Sequence, residues 1–291
     1  MNDGSYAARH GLAIADAGFS FDGATDDAIE LGDVEIAGYR AVDWFAGEDS
    51  VGDLPLAPIV RDALADYLDD GGRLLVSGAE LGWALDDMGA PDEQTFFRER
   101  LHATYVSDDA ETYDVTATAG PFAGLAALSF ADPAASDPRV PDVLAPATDA
   151  AIALAYGGIA DGAAAIAWGA GEDGERGILL GFPFETIAGA EARRDVMAAA
   201  LAFFEVVEEP GDDDTGGGAD TSGGDDDDGT AGDDDGPGAT ATHGGGSEEG
   251  TSAGAQGESD SGCGCRANGG PSPALAIPML ALAGLGRRRR R

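Results

Sequence analysis

Between residues 208 and 262 the chain has almost nothing from which to build an interior, so any folded core must lie before that stretch. The stretch is Gly, Asp, Ser, Thr and Ala, with acidic runs at 212–214, 225–228 and 233–235. Such a segment buries too little apolar surface to offset the entropy of ordering it, and its like charges repel. It is expected to be an extended, solvated spacer. Calcium binding by the Asp/Gly blocks is the sharper alternative. The spacing fits neither an EF-hand loop nor the nonapeptide Gly-Gly-x-Gly-x-Asp repeat, which leaves loose counterion condensation as the default. The chain therefore divides into a globular domain (1–207), an acidic linker (208–262) and a C-terminal segment of different character (263–291).

The formal charge is −39, from 55 acids against 16 basic residues, all of them arginine. Phosphate backbones need a basic face, so nucleic acid is excluded as a partner. Residues 1–207 suffice for one substantial core. They hold no cysteine, which rules out a thiol nucleophile, a zinc-thiolate site and a disulfide within the domain. No cofactor or resident metal is expected.

The C-terminal segment has three parts: Cys263-Gly264-Cys265, an apolar run over 273–286, and Arg287 to Arg291. A bilayer-spanning helix needs roughly 20 apolar residues. This run is shorter and contains Pro278, which lacks a backbone donor. A transient sorting signal, with the arginines on the cytoplasmic side, suits it better than a permanent span; the bland alternative is a mildly greasy terminus without a role. A Cys263–Cys265 disulfide would close a tight, strained ring, and two sulfurs do not complete a zinc site. The order of these parts closely resembles the MYXO-CTERM sorting tail of myxobacteria and relatives. That resemblance implies export, processing near Cys263 and Cys265, lipid on Cys263, and anchoring to the outer membrane or cell envelope.

Within the domain, apolar runs alternate with helical patterns. Strands are expected over 39–44, 73–77, 112–118, 125–130 and 151–155, and a hairpin over 163–168 and 176–180. Helices are expected over 55–70, 91–101 and 191–207. In the first of these, Ile59, Val60, Ala63, Leu64, Tyr67 and Leu68 share a face. Pro55 sits at its start and Gly71-Gly72 at its end. The opening residues also read as a helix, with Leu12 and Ile14 apolar. The order strand, helix, strand, helix points to a parallel sheet covered on both faces. Ligands of such a sheet lie at its carboxyl edge, here Glu48-Asp49-Ser50, Ser77-Gly78-Ala79-Glu80 and Phe182 to Thr186.

These same stretches, Tyr39 to Ser50, Gly71 to Glu80 and Gly181 to Ile187, resemble the class I glutamine-amidotransferase-like domains of large secreted bacterial proteins, some labelled xanthan lyase or muramoyl-alanine amidase. The resemblance implies an α/β, flavodoxin-like three-layer sandwich. Glutaminase chemistry in that family needs a cysteine on the strand-to-helix turn and a histidine to activate it. The matching turn, Ser77-Gly78-Ala79, has no cysteine. His10 and His102, the domain's histidines, are expected on helices as surface or packing residues. A sheet of this kind normally begins with a strand before the position of Asn2. The expectation is therefore that Met1 is a mis-assigned start or a fragment edge, with the first strand and a signal peptide upstream.

Ser77 is a weak nucleophile candidate, because Leu75 and Ala79 break the Gly-x-Ser-x-Gly pattern. Glu48, Asp49, Glu80 and Glu185, with Ser77, form the candidate binding set. Of these, Glu48, Glu80 and Glu185 are the weak catalytic candidates, since paired carboxylates can cleave glycosidic bonds, hold a cation or grip sugar hydroxyls. Against this, Glu80 and Glu185 can simply cap helices, and Trp44 and Trp83 are more simply core residues than a sugar-stacking platform. The leading expectation is a surface-anchored, non-catalytic binding or structural module, with polysaccharide or a cation as possible ligand. The alternative is a hydrolase of an envelope or extracellular polymer.

Overall fold

The computed structural model describes residues 4–47, 55–132, 134–135, 138, 140–159, 162–169, 174–207 and 279–283. The acidic linker, Glu48, Asp49, Cys263 and Cys265 lie outside the described residues.

The chain opens with helix α1 (Gly4–Asp16), then strand β1 (Phe21–Thr25) and the short helix α2 (Asp26–Glu30). Strand β2 (Ala41–Gly47), helix α3 (Pro58–Asp69), strand β3 (Arg73–Gly78) and helix α4 (Pro91–Arg100) follow. A strand-rich middle comprises β4 (Ala103–Ser107), β5 (Asp114–Ala117), β6 (Leu128–Ser129), β7 (Val143–Pro146), β8 (Ala150–Tyr156) and β9 (Ala163–Trp168). Strand β10 (Arg176–Leu180) and helix α5 (Ala190–Phe203) close the domain, and β11 (Met279–Ala283) comes from the C-terminal segment.

Among the described residues the strands form one sheet in the order β1-β11-β2-β3-β10-β9-β8-β5-β6, with β4 joined through β7 to β9. Its centre matches the sequence reading. Strands β2, β3 and β10 are parallel neighbours, and β9 and β10 make the expected antiparallel hairpin. Two apolar cores flank this centre. One contains Ile14 of α1 and Val196, Met197 and Ala200 of α5 against Phe45, Leu75 and Ile178. The other contains Val60, Leu64 and Leu68 of α3 and Phe97 of α4 against Trp44, Val76 and Leu179. Each such fully buried large side chain contributes roughly 1.5–3 kcal/mol through loss of apolar surface from water. Side chains alternate along β2: Val42, Trp44 and Ala46 enter the second core, while Ala41 and Phe45 enter the first.

The flavodoxin-like three-layer sandwich expected from the sequence is not what forms. The sheet is mixed, and only the pairs β2–β3 and β3–β10 are parallel; the other strand pairs are antiparallel. A parallel pair needs a crossover of a dozen or more residues, usually a helix. Between β4 and β9 no described connection holds an α-helix, so that stretch folds back on itself in antiparallel pairs. The sheet's other end also departs from expectation. In chain order the first strand is β1, which follows α1, and the place between β1 and β2 is taken by β11.

Local deviations have simple causes. Helix α3 begins at Pro58, which takes the first-turn position, and Ile59 points outward, half exposed. Its end needs both glycines of the expected pair. Gly71 has φ +78, and a Cβ on Gly72 would lie 2.4 Å from the Tyr67 ring. On α1, Ile14 is buried but Leu12 faces outward.

Candidate functional site

Helix α1 turns one stripe, Tyr6, His10, Ala13 and Ile14, inward. Three of these are apolar or nearly so; His10 is fully buried and needs polar partners. It finds two. Its Nδ1 lies 2.7 Å from Asp43 Oδ2 and its Nε2 lies 3.2 Å from Glu185 Oε2. Asp43 sits on β2, between Ala41 and Phe45. Glu185 sits in a 3-10 turn, Phe184–Thr186, all three residues of which are buried. The imidazole stacks on Phe45 with centroids 4.0 Å apart and leans on Phe184 at 4.6 Å.

Burial alone would lower the pKa of His10, but the carboxylate of Asp43 and then that of Glu185 outweigh it, and the pKa rises to about 9. The ring is therefore an imidazolium at neutral pH, with both N–H groups donating. It offers no lone pair to a metal. Among the described residues, no group of three or more His, Cys, Asp or Glu is arranged to hold one. One imidazolium between two carboxylates leaves an excess negative charge in an apolar setting. Asp43 Oδ1 and Glu185 Oε1 are buried without a hydrogen-bond partner among the described residues.

A ring of arginine contacts lies beside this cluster. Arg9 donates to the Glu185 carbonyl at 3.0 Å and to Asp132 at 2.8 Å, and Arg193 reaches Asp132 at 3.2 Å. The backbone N–H of Ala134, together with Arg9 and Arg193, holds the Asp132 carboxyl below its ordinary range.

The turn after β3 is built differently. Ser77 is fully buried, and its Oγ has no hydrogen-bond partner among the described residues. The backbone N–H of Gly82 donates to Asp142 Oδ2 at 2.6 Å, and a Cβ on Gly82 would lie 3.0 Å from that oxygen. Burial pushes the Asp142 carboxyl up, against the pull of the Gly82 and Trp83 N–H groups. The Tyr156 hydroxyl donates to the Asp142 carbonyl at 2.9 Å. Burial and the Asp142 charge raise its own pKa.

The sequence-derived candidates thus separate. Glu185 joins His10 and Asp43, and it pairs rather than caps a helix. Glu80, half-buried after β3, contributes its charge to the surroundings of Asp142 and Tyr105. Ser77 is enclosed, while Glu48 and Asp49 lie outside the described residues. Trp44 is core, and Trp83 is partly exposed on a π-type turn, Trp83–Asp87. His10 is not the surface or packing residue expected but the centre of a charged cluster. His102 is not on a helix: it precedes β4 with φ 52. Its Nδ1 meets Asp149 at 2.9 Å and its Nε2 meets Glu175 at 3.1 Å. Asp43 and Asp142 were missed, although each is an acid inside an apolar strand-like run, where burial demands a partner.

No protein-family model matches this chain, and no curated protein sequence does either. Solved structures share part of its backbone path, among them three β-galactosidases. A β-galactosidase from Rahnella sp. R3 matches at TM-score 0.39 and 15% identity, over 58% of this chain and 23% of its own. Gan42B, a GH42 β-galactosidase from G. stearothermophilus, matches at 0.38 and 12%, over 58% and 22%. A β-galactosidase from Bacillus circulans sp. alkalophilus matches at 0.35 and 11%, over 50% and 20%. The match spans less than a quarter of each of these enzymes.

Proposed function

We propose that this chain is a non-catalytic structural or binding module of the cell envelope, exported and anchored through residues 263–291. One observation carries the first half of this reading. The proton donor and acceptor that meet at the sheet, His10 and Glu185, are wholly buried and engaged with each other. A general acid or base must come within hydrogen-bond reach of a substrate proton, and these two reach each other instead. The anchoring half is supported by the order of the Cys263/Cys265 pair, the apolar run and the terminal arginines. Among the described residues no helix is long and apolar enough to cross a membrane. Mass spectrometry of the C-terminus from fractionated cells tests the anchor. Loss of Arg287 to Arg291 from an envelope-bound chain is expected; an intact chain in the cytosol overturns it.

A second reading is a hydrolase of an envelope or extracellular polysaccharide. It is favoured by Asp43 and Glu185, each of which keeps one oxygen unpartnered among the described residues. A panel of envelope and extracellular glycans separates the two readings. No turnover is expected. Turnover that disappears in Glu185→Gln while the melting curve stays cooperative establishes the enzyme and removes the module.

A further inference from the structure

Strand β11 is inserted rather than appended. It pairs antiparallel with β1 on one side, from Phe21↔Ala283 to Thr25↔Met279. On the other side it pairs antiparallel with β2, from Phe45↔Met279 to Ala41↔Ala283. Among the described residues, β11 is the only strand that joins β1 to the rest of the sheet. Strand β1 is otherwise held by side chains. The Phe21 ring packs so closely on α1 that a Cβ at Gly11 would lie 2.3 Å from it, and Tyr39 donates to Asp22 at 3.0 Å. Ala281 stands in register with Gly23 on one flank and with Asp43, the partner of His10, on the other.

We infer that the gap between β1 and β2 is a strand-acceptor site for the C-terminal apolar segment, and that the segment's place in the sheet and its entry into the membrane as part of the sorting tail exclude each other. The inference rests on the anchor reading above. Its physical basis is backbone hydrogen bonding. A strand paired on both edges is satisfied where it is, whereas inside a bilayer a lone strand leaves every N–H and C=O without a partner. Entry into lipid therefore requires release from both neighbours and a change of conformation. Release also leaves β2 with an open edge, which invites pairing with other strands, and leaves Asp43 with a sheet neighbour on the β3 side alone, Leu75. The occupant suits the slot: residues 279–283 are uncharged and apolar, and β2 is buried at every position.

The test is a reversible lock. In the full chain carrying Cys263→Ser and Cys265→Ser, the pair Gly23→Cys and Ala281→Cys places two thiols at facing positions, within the Cα separations that a disulfide spans. An added Cβ at Gly23 meets nothing within 4 Å. Binding to phosphatidylethanolamine/phosphatidylglycerol vesicles is measured by sedimentation. The disulfide is expected to form, and the oxidised chain to bind about tenfold or more weakly than the same chain after reduction, because the lock removes the released state from the equilibrium. Hydrogen exchange on the unmodified chain supplies a second readout: amides of β1 and β2 should lose protection when vesicles are added. Equal binding of oxidised and reduced chains overturns the inference alone, as does failure of the disulfide to form. A reduced chain that leaves vesicles untouched also overturns the inference, whereas the anchor reading, which places lipid on Cys263, stands or falls on the mass spectrometry above.

Discussion

Two histidines in this domain make the same pair of contacts in different surroundings. His10 and His102 each present Nδ1 to an aspartate and Nε2 to a glutamate, at 2.7 and 3.2 Å in one case and 2.9 and 3.1 Å in the other. Each stacks on an aromatic ring, Phe45 or Trp168. They differ in water access. The side chains of His10, Asp43 and Glu185 are 0%, 4% and 0% exposed, whereas that of Asp149, the partner of His102, is 67% exposed. In low dielectric, removal of one ion leaves the others uncompensated; near the surface, water and salt take over the lost partner's role. The two triads have the same geometry, and burial decides what each is worth.

The largest expected effect is His10→Ala. It strands two buried carboxylates and should cost about 3–5 kcal/mol, as broken buried pairs do, read from urea unfolding at pH 7. His102→Ala should cost less: the loss of ring packing, here on Trp168, is common to both variants, but the acids left behind, Asp149 and Glu175, keep access to water. Equal losses would break the comparison.

Next comes pH. The pKa of His10 in the folded chain, about 9, lies above its ordinary 6.5. Its stabilisation is thus fully present below pH 6.5 and lost as pH rises through 9. The loss is on the order of 3 kcal/mol and should be absent from His10→Ala. A wild-type stability that is flat from pH 6 to pH 9.5 would show that His10 is not held protonated.

A smaller effect sharpens the assignment. In Glu185→Gln, one of the two carboxylates that raise the His10 pKa is gone, so the imidazole should titrate below 9 in an NMR pH series. An unchanged midpoint would place the whole effect on Asp43. The smallest change is Asp149→Asn. Its carboxyl is held below the ordinary range by His102, so its contribution is present above pH 4 and fades below it. At pH 7 the substitution should shift stability by less than about 1 kcal/mol.

What was legible in the sequence was local. The period-3.6 stripe of Val60, Leu64, Tyr67 and Leu68 identified α3, and the glycine pair after it marked its end. The apolar runs of β3, β9 and β10 stood out between polar turns. By contrast, β1, β4 and β7 were not expected. Short strands such as Phe21–Thr25, half polar and ended by an acidic turn, carry too few apolar positions to show an alternation. The mixed sheet is not legible in the sequence because strand direction is settled by which segments meet, and periodicity within a segment is silent on that.

Composition and spacing over a few residues settle where a core is possible, that helices α1, α3, α4 and α5 and strands β2, β3, β9 and β10 form there, and that cysteine chemistry is excluded from it. That residues 10, 43 and 185 share one buried charge cluster, and that residues 279–283 enter the sheet, follows from packing alone. Both depend on contacts between segments far apart in the chain, where burial turns an ordinary polar side chain, or an apolar run, into one with a single workable partner.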